Sequence, residues 1–125
     1  MRVSAVIAAY NEEDTLAAVL TALQRSPLID EIIVVSDGST DRTVEISRSF
    51  DVRTIALHEN QGKGCAMRLG VEHAVNDVFF FVDGDMLNVQ EAHIESLVRP
   101  VLQRRCDMNV GIRHRGPVLD FFHWR

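Results

Sequence analysis

Cysteine is scarce in this chain. Cys65 and Cys106 are its two cysteines, and they form no CxxC pair. That removes the spacing from which zinc sites are read, and it favours a reduced, cytoplasmic protein over a disulfide-stapled one. Basic residues are also in the minority. Thirteen Lys and Arg stand against eighteen Asp and Glu, for a formal net charge of -5. Broad nucleic-acid binding needs a basic face to neutralise phosphates, so no nucleic-acid partner is expected. The balance leaves room for a local basic pocket that holds one nucleotide. No apolar run approaches the ~20 residues that cross a bilayer. The stretch from Met1 to Tyr10 is short and runs straight into patterned sequence, so it is not read as a signal peptide. Association with a membrane surface through other segments or partners stays open. Repeats, low-complexity tracts and linkers are absent as well.

What is present is patterned throughout. A length of 125 residues suits one domain with a real core. Four short β-branched or aromatic runs, Val3–Ala8, Glu31–Ser36, Val52–Leu57 and Val78–Val82, are each bounded by turn or polar residues. A fifth, Met108–Ile112, is weaker. The runs Ile32-Ile33-Val34-Val35 and Phe79-Phe80-Phe81-Val82 are continuously apolar, which suits central parallel strands buried on both faces. Helical patterns lie between them. Glu13 to Gln24 places Leu16, Val19, Leu20 and Leu23 on one face. Thr40 to Ser49 carries Val44 and Ile46. Lys63 to Ala74 carries Met67, Gly70 and Val71. Val89 to Arg104 carries Ile94, Leu97, Val98 and Val101, with Pro100 expected to kink or break it. The order β-α-β-α-β-α-β-α-β implies an α/β domain with a mostly parallel sheet flanked by helices. Residues 113–125 lose the pattern and end in an apolar cluster of Phe121, Phe122 and Trp124. Such a cluster marks an interaction surface or missing packing, so self-association through this tail is expected.

The polar residues fall where such a sheet would gather them. Tyr10-Asn11-Glu12 follows the first strand, Asp37-Gly38-Ser39-Thr40-Asp41 the second, and Asp83-Gly84-Asp85 the fourth. In a parallel sheet these ends share one edge, where ligands bind. In extended chain, Asp83 and Asp85 point the same way, roughly 6.5–7 Å apart. Two such carboxylates would repel a diphosphate unless a divalent cation intervened, and Mg²⁺ or Mn²⁺ accepts this oxygen-rich set together with substrate phosphates. Glycine between them allows close backbone approach. The competing reading is a plain turn, since Asp and Gly are common turn residues.

The other clusters are similarly double-edged. Ser39 or Thr40 fits as a helix cap, whereas Asp37, before the turn, could accept from a base N–H or a ribose hydroxyl. Tyr10 could stack on a base or pack at the core edge. Glu12 could accept from a base or favour a helix start. Asn60-Gln61-Gly62-Lys63-Gly64 opens the third helix with exposed amides and a lysine, which attract anions. It is not a P-loop, because the GxxxxGK[ST] spacing is missing. His58, His73, His93, His114 and His123 show no metal-ligand spacing and are read as surface or structural residues.

Taken together these segments resemble family 2 glycosyltransferases. Val3-Ser4-Ala5-Val6-Ile7-Ala8-Ala9-Tyr10-Asn11-Glu12 is similar to the family's opening, and Val34-Val35-Ser36-Asp37-Gly38-Ser39-Thr40-Asp41 to its second-strand motif. Asn60-Gln61-Gly62-Lys63-Gly64 resembles its glycine-lysine turn, and Phe81-Val82-Asp83-Gly84-Asp85 its DxD motif. The likeness covers about residues 3 to 112. It implies a Rossmann-like GT-A fold and transfer of a sugar from a UDP- or GDP-sugar, usually with inversion. It further implies that Ala8, Ala9, Tyr10 and Glu12 line a base pocket and that Asp37 contacts base or ribose. Lys63 would lie near the nucleotide, Asp83 and Gly84 at ribose and phosphate, and Asp85, with Asp83, at the metal. The family often has proline at Ala8 and aspartate at Ser36. Its catalytic domains continue well past the DxD strand into an acceptor-binding half that supplies the carboxylate base. Asp107 and Asp120 are carboxylates in that general region, but nothing in their setting assigns them the role. The expected organisation is therefore a nucleotide-sugar-binding domain over 1–112 and a tail over 113–125 that is read as the start of a missing acceptor-binding half. A non-catalytic nucleotide-sugar-binding module is the alternative. A nucleotidyltransferase would be expected to carry a glycine-rich basic first loop, which Ala8-Ala9-Tyr10-Asn11-Glu12 is not.

Overall fold

The computed structural model describes residues 2–86, 89–113 and 119–124, with 111–113 and 119–124 described by their backbone. Strand β1 (Val3–Ala9) is buried along nearly its whole length, because it is paired on both sides. It runs parallel to β2 (Glu31–Asp37) on one flank and to β4 (Val78–Asp83) on the other. Beyond β2 lies β3 (Arg53–Leu57), also parallel, so the sheet order is β3-β2-β1-β4. Helices α1 (Leu16–Arg25), α2 (Thr43–Ser49) and α3 (Lys63–His73) make the crossovers, and α4 (Glu91–Leu102) follows β4. The result is the expected α/β architecture, with a parallel sheet flanked by helices.

Alternation along the strands decides what each face meets. Val3, Ala5, Ile7 and Ala9 of β1 pack with Leu16, Val19, Leu20 and Leu23 of α1 and with Ile94 and Val98 of α4. The opposite face is thinner: Ile33 and Val35 of β2 meet Ala66 of α3. Helix α3 comes close to the sheet because Gly70 has no side chain. A Cβ there would run into Val6 Cγ1, and Val6 is itself buried.

Four expectations needed correction. Among the described residues the phenylalanine-rich run lies at the edge of the parallel sheet and not at its centre. Val78 and Val82 are buried and Phe80 packs on the core, but Phe79 is 36% and Phe81 44% exposed. Their rings lie on the α3 side of the sheet, and α3 sits over β1 and β2. The fifth run, β5 (Met108–Arg113), does not join the parallel sheet. It forms an antiparallel pair with β6 (Leu119–Trp124), a strand inside the tail that carried no pattern. The Phe121, Phe122 and Trp124 side chains and that of Asp120, and with them the expected apolar association surface, lie outside the described residues.

Helix α2 starts at Thr43 rather than Thr40. It buries Thr43 and Ser47 instead of Val44, with Ser47 Oγ bonded to Thr54 Oγ1 at 2.7 Å. Finally, α4 runs through Pro100 and ends two residues later, at Leu102. Proline removes the amide that would bond the Ser96 carbonyl. Asn109 Nδ2 on β5 replaces it, donating to the carbonyls of Ser96 and Leu97 at 3.2 and 3.1 Å.

The two glycines of α3 should respond oppositely to the same substitution. Gly70→Ala forces Val6 or the helix to shift and should cost about 1–3 kcal/mol. Gly64→Ala meets nothing within 4 Å and should leave stability unchanged or raise it by up to about 1 kcal/mol. Urea denaturation of both variants measures this, and equal effects would remove the close-packing account of α3.

Candidate nucleotide-binding site

The register of β1 brings three loops to one edge. Ala8 pairs with Val35 on one side and Asp83 on the other, and Ala9 pairs with Ser36. The loops that follow β1 and β2 are then laced together. Asn11 adopts a left-handed backbone with φ 50°, which asparagine tolerates better than most residues. Its Oδ1 accepts from the amides of Thr40 and Asp41 at 2.8 and 3.3 Å, while its own amide donates to Ser39 Oγ at 3.1 Å. The Glu12 amide donates to Thr43 Oγ1 at 2.9 Å.

Ser39 and Thr40 thus tie two loops together and cap no helix. Asp41 takes over the start of α2, accepting from the Thr43 amide at 2.9 Å and the Thr43 hydroxyl at 2.5 Å. Burial pushes the Asp41 carboxyl up, but the Thr43 hydroxyl and the amides of Thr43 and Glu13 outweigh that and hold it below its ordinary value.

Asp37 ends β2 almost fully buried, at 5% exposure. Its Oδ1 accepts from the Gln61 amide at 2.7 Å and its Oδ2 from the Gly62 amide at 3.0 Å. Gly38 adopts φ 77°, and a Cβ there would lie 2.6 Å from the Asn60 nitrogen. The loop before α3 therefore rests on the turn after β2. That support delivers Lys63, whose Nζ lies 2.5 Å from Asp83 Oδ1.

Across the edge, the Asp83-Gly84-Asp85 turn presses against the end of β1. A Cβ on Gly84 would come within 3.1 Å of both Ala9 Cβ and Glu12 Cγ. The carboxylates crowd here. Burial and then the charge on Asp85 raise the Glu12 carboxyl above its ordinary value of 4.5; a hydrogen bond from the Thr15 hydroxyl opposes them, and the charges on Asp83 and Asp41 add to the rise.

Between these walls lies a cavity of about 320 Å³, lined by Ala8, Ala9, Tyr10, Glu12, Asp37, Asn60, Gly62, Lys63, Asp83 and Asp85. The structure thus brings together every expected site residue except Gly84, which sits buried behind the wall. Tyr10 stands at the rim, 47% exposed. Asn60 and Gly62 line the cavity without having been expected there, though the anion-favouring glycine turn contains both. Asn11, which laces the loops, was also missed; its signal was an asparagine directly after a strand.

The donor set for a cation is all oxygen, which fits Mg²⁺ or Mn²⁺. Among the described residues, no group of three or more His, Cys, Asp or Glu could hold an ion without other ligands. Asp83 is already paired with Lys63, and Asp85 is exposed and accepts no hydrogen bond from the described residues. A bound ion would therefore take Asp85 first and complete its shell from substrate phosphates and water. Two of the histidines make structural bonds: His73 Nδ1 bonds the Leu69 carbonyl at 2.9 Å and His93 Nδ1 accepts from the Gln90 amide at 3.3 Å; His114 and the His123 side chain lie outside the described residues.

A parallel α/β sheet with an acidic turn, a lysine and a rim tyrosine around one cleft at its strand ends defines a Rossmann-like GT-A domain. The chain belongs to glycosyl transferase family 2, whose profile matches residues 4–125. An uncharacterized glycosyltransferase, YaiP, of Escherichia coli is 40% identical over 88 residues, covering 66% of this chain and 22% of that protein. The dodecaprenyl-phosphate galacturonate synthase of Rhizobium johnstonii is 31% identical over 90% of this chain and 36% of that protein. Among solved structures, glucosyl-3-phosphoglycerate synthase of Mycobacterium tuberculosis in complex with UDP superposes with a TM-score of 0.79 at 28% identity. That match covers 93% of this chain and 45% of the synthase. The same enzyme has been crystallised with Mn²⁺, UDP and glucosyl-3-phosphoglycerate, at a TM-score of 0.72 and 29% identity over 81% of this chain and 39% of that one. The chain thus spans roughly a fifth to under half of the length of these proteins.

The Glu12 carboxyl should titrate above 4.5 in a carbon-detected NMR experiment, and Asp85→Asn should lower its midpoint without returning it fully, since burial remains. The sign for stability follows. The folded carboxyl holds its proton more tightly than the unfolded one, so Glu12 opposes folding as pH rises from 4.5 through the folded midpoint. An Asp85→Asn midpoint equal to that of the wild type would show that the two carboxylates do not feel each other.

Proposed function

We propose that residues 1–112 form the donor-binding half of a metal-dependent glycosyltransferase that takes its sugar from a nucleoside-diphosphate sugar, with inversion, as family resemblance implies. The observation that carries this reading is the convergence of Tyr10, Lys63, Asp83 and Asp85 on one cavity at the C-terminal edge of a parallel sheet. The M. tuberculosis synthase, crystallised with UDP and Mn²⁺, supports it.

In this reading Ala8 and Ala9 floor a base pocket, Tyr10 stacks on the base from the rim, and Glu12 accepts from it. Asp37 already holds two amides and lines the cavity, where a remaining lone pair would accept from a base N–H or ribose hydroxyl. Asp83 and the Gly84 backbone serve ribose and phosphate. Lys63 approaches the diphosphate by leaving Asp83 for a more negative partner. Asp85, with Asp83, would hold a divalent ion, which when bound would supply positive charge where the diphosphate departs.

The acceptor site and the base that deprotonates the acceptor belong, in this proposal, to the part of the longer relatives that this chain does not span. A chain of residues 1–125 alone then binds a nucleotide sugar without transferring it. We place it in the cytoplasm, with attachment to a membrane surface depending on the acceptor. None of the described helices is long and apolar enough to cross a membrane.

Calorimetric titration with UDP-glucose and GDP-mannose, with and without Mn²⁺, tests the site. The preferred donor should bind at least about tenfold (~1.4 kcal/mol) more tightly with the ion. Asp85→Ala should remove most of that gain. Metal-enhanced binding that survives intact in Asp85→Ala would end the metal assignment, and no nucleotide binding at all would end the proposal.

A further inference from the structure

Thr15 stands at the position immediately before α1, where a threonine ordinarily accepts from an amide of the first turn. It makes no such bond. Its hydroxyl donates instead to the Gly84 carbonyl at 2.7 Å, with a longer contact to the Glu12 carbonyl at 3.5 Å. Gly84 lies between the two aspartates. The turn has one bond of its own, from the Met86 amide to the Asp83 carbonyl at 3.2 Å. The Gly84 carbonyl and the Asp85 nitrogen share one rigid peptide plane, so a donor fixed on that oxygen fixes the plane from which Asp85 departs. Beside that turn bond, the contact on Gly84 is what braces the backbone at Asp85 by hydrogen bonding among the described residues. The absent Cβ of Gly84 adds a second constraint, because it lets the same peptide seat against Ala9 and Glu12, beside Thr15.

We propose that Thr15 is a positioning residue: by holding the Gly84 carbonyl it sets the direction of Asp85 and so tunes how well the cavity takes a divalent cation together with a nucleoside diphosphate. This rests on the donor-site reading above. Thr15 does not line the cavity, and it reaches it through two neighbours, the Gly84 carbonyl and the Glu12 carboxyl, which its hydroxyl also meets. An exposed carboxylate on an unbraced turn would sample many directions, and capture of an ion would then carry the entropy of ordering it.

Thr15→Val keeps the shape and deletes the hydroxyl. In the 125-residue chain without metal, hydrogen exchange at the Met86 amide should quicken about three- to tenfold, the net value of one hydrogen bond. The enhancement of UDP binding by Mg²⁺ should fall by a similar factor, over and above any change in metal-free UDP binding that the lost contact with Glu12 brings. Thr15→Ser should restore both. If Thr15→Val leaves exchange and the magnesium enhancement untouched, the inference is overturned while the donor site stands. Equal loss of UDP binding with and without magnesium also overturns it, since Thr15 would then serve only the fold. A wild-type chain whose UDP affinity ignores magnesium overturns the donor-site reading itself, and that failure is recognisable because no variant is needed to see it.

Discussion

The site depends on one strand being hydrogen-bonded on both flanks. β1 is held in parallel register by β2 and β4, with Ala8 opposite both Val35 and Asp83. Side chains alternate with a period of two, so a slip of one residue in β4 would exchange the buried Val82 with the carboxylate of Asp83. The core on the α1 and α4 face forbids that slip, because Val78, Phe80 and Val82 all pack there. Packing energy remote from the cavity thus specifies where the acidic turn lies, to within the spacing of one residue.

Given that register, the carboxylates at the edge differ in function because they differ in partners. Asp37 is nearly buried and held by two amides, so it acts first as a structural brace. Asp83 is matched by Lys63. Asp85 faces solvent without a partner among the described residues, and Glu12 resists ionisation beside it. Crowded like charges of this kind oppose folding and favour an arriving cation, and the same repulsion underlies both. Lys63 is the cation within reach and is held at the end of a brace that starts at Asp37. A substitution at Asp37 would therefore act on the far side of the cavity as well as at its own position.

Much of this was legible in the residues. The four parallel strands appear within a residue or two of their runs, because continuous β-branched and aromatic stretches bounded by turn residues have few other uses. The grouping of Tyr10, Asp37, Lys63, Asp83 and Asp85 followed from their placement at strand and helix ends. What was not legible depends on neighbours distant in sequence. Burial periodicity says how apolar a strand is and says nothing of its rank in the sheet, so Phe79-Phe80-Phe81 reads as central although β4 is at the edge. Ser39 and Thr40 have the right chemistry for caps, but Asn11, across the loop, claims them. Asp37 reads as a free acceptor until the amides of residues 61 and 62 are seen against it. The strand in the tail was hidden because Leu119–Trp124 is defined by its partner β5 more than by its own pattern.

The edge position of β4 has a consequence for the molecule in bulk. Along its outer side the peptide groups have no sheet partner among the described residues, and two phenyl rings, Phe79 and Phe81, lie 6.4 Å apart beside that bare ladder. Unpaired amides next to exposed aromatic surface are the combination that recruits foreign strands. This flank carries no lysine or proline to blunt it between Val78 and Val82. In the chain as described, this flank is therefore the place where a further strand would add to the sheet.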